Sequence, residues 1–246
     1  MESKPRDKAR RRYNSKYIVH DGRKFVYFVI QKVACSSVKA ALLPLFSVDD
    51  SPYWDTTPSG ERILRVHMLF DASPYQINKE QLLEGLDGKY RDHFRFAFVR
   101  NPWDRLVSCH SEKVATVPKS PEFRRADLNP RGEEDRFYPG MPFGDFVEAV
   151  HAIPDEKADA HFRSQHTVVC APGGQVMADF VGRFENLRND FARVAEEIGA
   201  PGLALPHLLR SKIRQSRHYR DFYDERLKKL VYERYEKDVE TFEYSF

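Results

Sequence analysis

FVYFVIQKVACSSVKAALL, residues Phe25 to Leu43, is the stretch whose reading decides the fold. Phe25 to Ile30 is an apolar run rich in β-branched and aromatic residues and has the length of a buried strand. It ends at Gln31 and Lys32. Val38, Ala41, Leu42 and Leu45 then recur at helical spacing, with Ser36 or Ser37 placed to cap the helix start. Strand, small-residue turn and helix in this order make an anion site, because the unpaired amides of the first helical turn converge where Lys32 and Lys39 add charge. A phosphate or sulfate group is the ligand this suggests. The plain alternative is an ordinary crossover with both lysines on a solvated edge. No nucleotide-triphosphate P-loop ending in Gly-Lys-Ser/Thr and no Rossmann glycine fingerprint is present.

A second unit of the same kind is FRFAFVRNPWDRLVSCHS, Phe94 to Ser111. Phe94, Phe96, Ala97, Phe98 and Val99 read as a buried strand. Asn101 is suited to cap a helix that starts at Pro102, with Asp104 in the favourable first turn. Trp103, Leu106, Val107, His110 and Val114 supply the inward face. Arg100 leaves the strand tip and Ser108 lies about two turns on, sharing a face with Asp104 and Arg105, so one arginine and one hydroxyl reach for one phosphate.

Outward from these units the pattern is looser. RILRVHML, Arg62 to Leu69, reads as a short strand with His67 near its end, and Ile77 to Leu86 as a helix. Residues 117–141, rich in Pro, Arg, Glu and Asp, read as an insertion or lid over the cleft. A helix is expected over Phe143 to Val150. The segments Thr167 to Cys170 and Met177 to Gly182, joined through Gly173 and Gly174, suggest a hairpin or two neighbouring strands. A helix from Leu187 to Ile198 stops at Gly199. Residues 203–220 form a basic loop, and a last helix covers Asp224 to Asp238.

The chain has 246 residues, enough for one large α/β domain. Forty Lys plus Arg against 37 Asp plus Glu give a formal charge of +3, too small to argue for nucleic acid. The basic excess is concentrated in residues 1–20, read as a flexible arm ahead of a single domain at 21–246. Cys35, Cys109 and Cys170 have no metal spacing and fit a reducing compartment, with a Cys109–Cys170 bridge left open. No stretch is apolar enough to cross a bilayer and the N-terminus lacks a signal-peptide core.

Four pieces in order carry a family resemblance over about Phe25 to Tyr244. QKVACSSVK (31–39), FVRNPWDRLVSCH (98–110), FVGRFENLRNDF (180–191) and YRDFYDERLKKLVYERYEKDVETFEY (219–244) resemble the membrane-linked carbohydrate sulfotransferases and their soluble bacterial relatives. The first piece is similar to that family's 5'-phosphosulfate loop, usually begun by Pro-Lys; here Gln31 replaces the proline. The second is similar to its 3'-phosphate motif.

The resemblance implies a three-layer α/β fold around a central, mostly parallel sheet, and a sulfonate donor, 3'-phosphoadenosine 5'-phosphosulfate (PAPS), leaving as 3'-phosphoadenosine 5'-phosphate (PAP). It implies donor contacts from Lys32, Val33, Ala34, Cys35, Ser36, Ser37 and Val38 at the 5' end and from Arg100 and Ser108 at the 3' end. A late basic loop with Arg210, Ser211, Lys212 and Arg217 is expected to fold over the nucleotide. Lys32 is expected to stabilise charge on the leaving phosphate and His67 to take the acceptor's proton, with His166, His161, Glu61 and Asp71 behind it. The reaction needs no metal. The acceptor is expected to be a hydroxyl of a carbohydrate or small molecule, with no nucleic-acid partner and no membrane span; oligomeric state is unread. The expected location is cytoplasmic, or the Golgi lumen if an anchor has been removed. Two rivals are a small-molecule kinase, which would require a magnesium-holding Ser/Thr in a Gly-Lys-Ser/Thr context and an acidic partner, neither visible in this sequence, and a polyanion-binding protein using the basic arm and loop.

Overall fold

The structure, a computed structural model, describes residues 15–56, 60–115, 136–206 and 217–246. In chain order these residues form β1 (Lys16–His20), β2 (Phe25–Val29), α1 (Cys35–Leu42), β3 (Trp54–Thr56), β4 (Arg62–Leu64), α2 (Val66–Ala72), β5 (Gln76–Ile77), α3 (Lys79–Gly85), β6 (Phe94–Val99) and α4 (Pro102–Lys113). There follow α5 (Phe143–His151), α6 (His166–Val169), β7 (Phe180–Arg183), α7 (Leu187–Glu197), α8 (Glu225–Arg234) and α9 (Glu236–Thr241).

The main sheet has the order β5-β1-β2-β6-β7. β2, β6 and β7 pair in parallel, whereas β1 is antiparallel to both β2 and β5. The sheet is therefore mixed rather than mostly parallel by pairing. The reason is local: Lys16–His20, counted by sequence with the basic arm, folds back on β2 through a turn at Asp21–Arg23, with Lys24 in the left-handed region at φ 50°. Tyr17 and Ile18 are completely buried, so these residues belong to the domain. Every residue of β2 is buried, which requires cover on both faces of the sheet.

Helices supply that cover. The Tyr17 hydroxyl donates to the Val168 carbonyl of α6 at 2.9 Å. Tyr27 stacks on Phe96 with ring centroids 5.2 Å apart, and Phe98 packs against Phe191 of α7. β7 comes close to β6 only because position 182 is glycine: a Cβ there would stand 2.6 Å from the Phe98 ring. A second apolar cluster joins α4, α5 and α8 through Trp103, Leu106, Phe146, Val150, Leu227 and Val231.

Several sequence expectations are corrected here. RILRVHML does not run on as a strand: β4 ends at Leu64 and pairs with β3, and His67 lies in the first turn of α2. The segment after His166 forms α6 and a single bridge between Cys170 and Val176, and only Phe180–Arg183 joins the sheet. The final helix breaks in two at Tyr235. All three cysteines are free and buried, so Cys109 and Cys170 do not pair. No described helix is long and apolar enough to cross a membrane. Of the insertion at 117–141, residues 117–135 lie outside the described residues; Phe137 and Met141 are buried in the second cluster, and His110 Nε2 bonds the Met141 carbonyl at 2.7 Å.

Candidate donor site at two strand-to-helix crossovers

Because β2 and β6 are parallel neighbours, their C-terminal ends deliver the two crossovers, Gln31–Ala34 and Arg100–Asn101, to the same edge of the sheet. Sheets of this kind place ligands at that edge. At the first crossover, Lys32 and Ala34 both adopt left-handed backbone, with φ of 68° and 65°. The N-cap of α1 is Ala34, and no side chain caps the helix, so the expected Ser36 or Ser37 cap is not formed. The left-handed turns bend the chain sharply enough to bring it into α1 without a polar cap. They leave the amides of Cys35, Ser36 and Ser37 without intrahelical acceptors, directed outward from the helix start.

The second crossover is punctuated as its sequence requires. The Asn101 side chain accepts from the amides of Trp103 and Asp104, and Pro102 occupies the first helical position. Arg100, only 2% exposed, is held from four sides. Its Nε donates to Asp104 Oδ2 at 2.8 Å, its Nη1 to the Lys32 carbonyl at 2.8 Å, and its guanidinium lies 4.0 Å from the Phe184 ring centroid. Gln165 closes the fourth side: its side-chain amide accepts from the Arg100 amide at 3.0 Å and donates to the Arg100 carbonyl at 2.8 Å. Arg100 Nη2 is buried and has no hydrogen-bond partner among the described residues. An unsatisfied guanidinium N–H at this edge is a ready donor to an anion. Because Arg100 also grips the Lys32 carbonyl, the two crossovers form one unit.

The Lys32 side chain is 7% exposed and its Nζ is paired with Glu112 on α4. Lys39, expected beside the anion, is completely buried instead, with Nζ 3.2 Å from His67 Nδ1 and 5.7 Å from the Phe70 ring centroid. Burial lowers its pKa to about 8. His67 Nε2 lies 2.8 Å from Ser36 Oγ. Burial, then the charge of Lys39 and more weakly those of His161, Lys16 and Lys113, bring His67 down to about 3. With Lys39 donating to Nδ1, the neutral ring carries its proton on Nε2 and donates it to Ser36, fixing that hydroxyl in the first turn of α1.

The other predicted residues fall as follows. Ser108 is half-buried on α4, four residues from both Asp104 and Glu112 and so on their face. Arg217 is exposed, with Nη2 3.3 Å from the Asp221 carbonyl and its guanidinium 5.0 Å from the Phe222 ring. The turn it begins docks on α4, where the Tyr223 hydroxyl donates to the Trp103 carbonyl at 2.9 Å. Arg210, Ser211 and Lys212 lie outside the described residues. Among the secondary base candidates, His161 Nδ1 is 2.5 Å from Asp159, His166 Nδ1 is 3.1 Å from the buried Asp238, and Asp71 pairs with Lys16 at 2.6 Å. Arg105, which shares a sequence face with Ser108, is structural: it donates to the carbonyls of Gln31, Ala160 and Arg163 and ties the 160–163 segment to the start of the loop between β2 and α1.

A sulfotransferase family profile matches residues 15–245. The chain belongs to that family. Its relatives include carbohydrate sulfotransferase 14 of Homo sapiens, 26% identical over 201 residues that cover 78% of this chain and 47% of that protein. Carbohydrate sulfotransferase 14 of Danio rerio is 25% identical, covering 75% of this chain and 48% of the relative. Carbohydrate sulfotransferase 9 of Homo sapiens is 28% identical over 240 residues, covering 92% and 48%. The chain thus spans about half the length of these curated relatives. No solved structure matches it.

Sequence reasoning about this sulfotransferase-family chain missed Glu112 and Asp238, and it set Gln165 with Arg163 and His166 along an acceptor cleft rather than on the Arg100 backbone. Asp238, completely buried, accepts from the amides of Gln165 and His166 at 2.8 Å each and so fixes the residue that clamps Arg100. Glu112 had a visible signal, its spacing of four from Ser108. Gln165 and Asp238 had none, because their partners lie 65 and 73 residues away.

Proposed function

We propose that this chain transfers a sulfonate group from PAPS to a hydroxyl of a carbohydrate acceptor, with the nucleotide lying across the two crossovers. The observation that carries this reading is the pairing, in one family member, of an uncapped loop-to-helix turn bearing Lys32 with a buried arginine whose Nη2 has no hydrogen-bond partner among the described residues. The amides of Cys35 to Ser37 and the Lys32 ammonium suit the 5'-phosphosulfate; Arg100 and Ser108 suit the 3'-phosphate. The names of the relatives, carbohydrate sulfotransferases 14 and 9, favour a carbohydrate acceptor.

In the step itself the acceptor oxygen forms a bond to sulfur while the bond from sulfur to the 5'-phosphate oxygen breaks, and PAP leaves with that electron pair. Negative charge grows on the bridging oxygen, where Lys32 and the loop amides stabilise it. Grip on the remote 3'-phosphate orients the reacting centre, so Arg100 contributes to turnover as well as affinity. The acceptor's proton must leave to a base. His67 serves as that base only if Lys39 releases Nδ1; while Lys39 holds Nδ1, the ring holds Ser36.

Thermal unfolding with added nucleotides tests the reading. PAP is expected to raise the midpoint of the protein more than 5'-AMP or ATP at equal concentration. Equal shifts from all three, or none, would remove the basis for a PAPS site.

A further inference from the structure

Helix α4 carries Asp104, Ser108 and Glu112 at intervals of four, on one face. Each of the two cations assigned to the donor is paired with a carboxylate of this helix, Arg100 with Asp104 and Lys32 with Glu112. The two pairs differ in burial. The Asp104 side chain is 8% exposed beside an Arg100 that is 2% exposed, whereas Glu112 is 58% exposed beside a Lys32 that is 7% exposed. A sealed carboxylate beside a sealed guanidinium cannot leave without stranding a buried charge. A carboxylate that is mostly in water can.

The Lys32 backbone is fixed by its left-handed turn and by Arg100 Nη1 on its carbonyl at 2.8 Å, so exchange of partners needs only side-chain rotation. The charge balance also calls for an anion there. Lys113 Nζ is 3.7 Å from Glu112 Oε1, and His161 is close enough for its charge to act on the same carboxylate. The protein packed on its inner side draws the Glu112 carboxyl upward even though most of the side chain meets water, but Lys32, Lys113 and His161 outweigh that and hold it below its ordinary range, charged at neutral pH.

We propose that Glu112 is a charge placeholder, a positioning residue whose carboxylate holds Lys32 at the phosphosulfate loop until the 5'-phosphosulfate of the donor takes its place. The proposal rests on the PAPS reading of the site. Its consequence is that donor binding includes the displacement of an internal anion. The 3'-phosphate end has no such step, because Asp104 stays with Arg100. Small free anions, which lack the 3'-phosphate grip, are thereby excluded from Lys32.

The test is calorimetric titration of the parent, Glu112→Gln, Lys32→Gln and the double variant with PAP, with adenosine 3'-monophosphate and with 5'-AMP. Glu112→Gln is expected to tighten PAP about tenfold, the scale of one partly buried charge contact, and to leave the 3'-monophosphate unchanged, since only PAP reaches Lys32. The gain should vanish in the Lys32→Gln background, because it acts through that amine. Unchanged or weaker PAP binding in Glu112→Gln overturns the proposal. So does a gain that persists without Lys32, which would make Glu112 a source of general repulsion. If the parent and Glu112→Gln both ignore the 3'-phosphate, binding PAP no better than 5'-AMP, it is the PAPS reading that fails, and the proposal falls with it.

Discussion

The two crossovers are built from the same plan, a buried strand delivering a basic residue to a helix start, yet they are finished differently. At β6–α4 the helix has a side-chain cap from Asn101, and Arg100 is enclosed by Asp104, Gln165, Phe184 and the Lys32 carbonyl. At β2–α1 there is no side-chain cap, two residues sit in left-handed backbone, and the partner of Lys32 is mostly solvated. A closed, preorganised end suits a phosphate that is only gripped. An end with uncapped amides and an exchangeable partner suits the group whose charge changes during reaction. On the proposed function, the comparison puts affinity mainly at Arg100 and chemistry mainly at Lys32.

The largest effect should come from the chemical end. Lys32→Ala is expected to lower sulfonate transfer from PAPS by about a hundredfold or more, the scale of a lost transition-state charge contact, while PAP affinity changes only a few-fold. Parallel losses in turnover and affinity would erase the division between the ends. At the gripping end, Arg100→Ala is expected to weaken PAP by about a hundredfold, since it removes a charge-assisted contact, and to bring it level with 5'-AMP. Stability reports the enclosure itself. Gln165→Ala strands the amide and carbonyl of Arg100 in a buried setting and should cost about 2 kcal/mol in urea unfolding, with weaker PAP binding alongside. An effect within error would mean that the crossover does not depend on its clamp.

The last effect depends on pH and concerns His67. Its pKa in the folded chain, about 3, lies below its ordinary value of 6.5, so protonation opposes folding. The sheltered neutral ring therefore adds stability above pH 6.5 that is lost progressively as pH falls toward 3. Over that window the slope from one proton is at most about 1.4 kcal/mol per pH unit. His67→Gln should flatten this part of the stability profile. If it also leaves transfer intact, the acceptor's base lies elsewhere.

How much of this was legible in the sequence depends on how local the cause is. Asn101 and Pro102 announce the start of α4 because a cap and a preset φ act within three residues. Gly199, at φ 67°, marks the stop of α7 for the same reason. RILRVHML misled because a short apolar run does not separate strand from helix, and pairing of β3 with β4 uses only Arg62–Leu64. Lys16–His20 was lost to the charge of the residues before it, although Tyr17, Ile18 and Val19 are apolar enough to form an inner strand. The serines of the loop suggested a cap, but Ala34 entered the helix through left-handed backbone, a conformation that its side chain does not advertise. The mutual clamp of Gln165 and Arg100 and its support by Asp238 are tertiary contacts between distant segments, and no local pattern encodes them.

The most direct measurement of the central claim is calorimetric titration of the parent and of Arg100→Ala with PAP and with 5'-AMP. The account predicts that the parent strongly prefers PAP and that the variant, still folded, binds the two alike. A parent that does not distinguish the two nucleotides, or an Arg100→Ala variant that keeps the preference, would contradict the placement of the 3'-phosphate and with it the two-ended site.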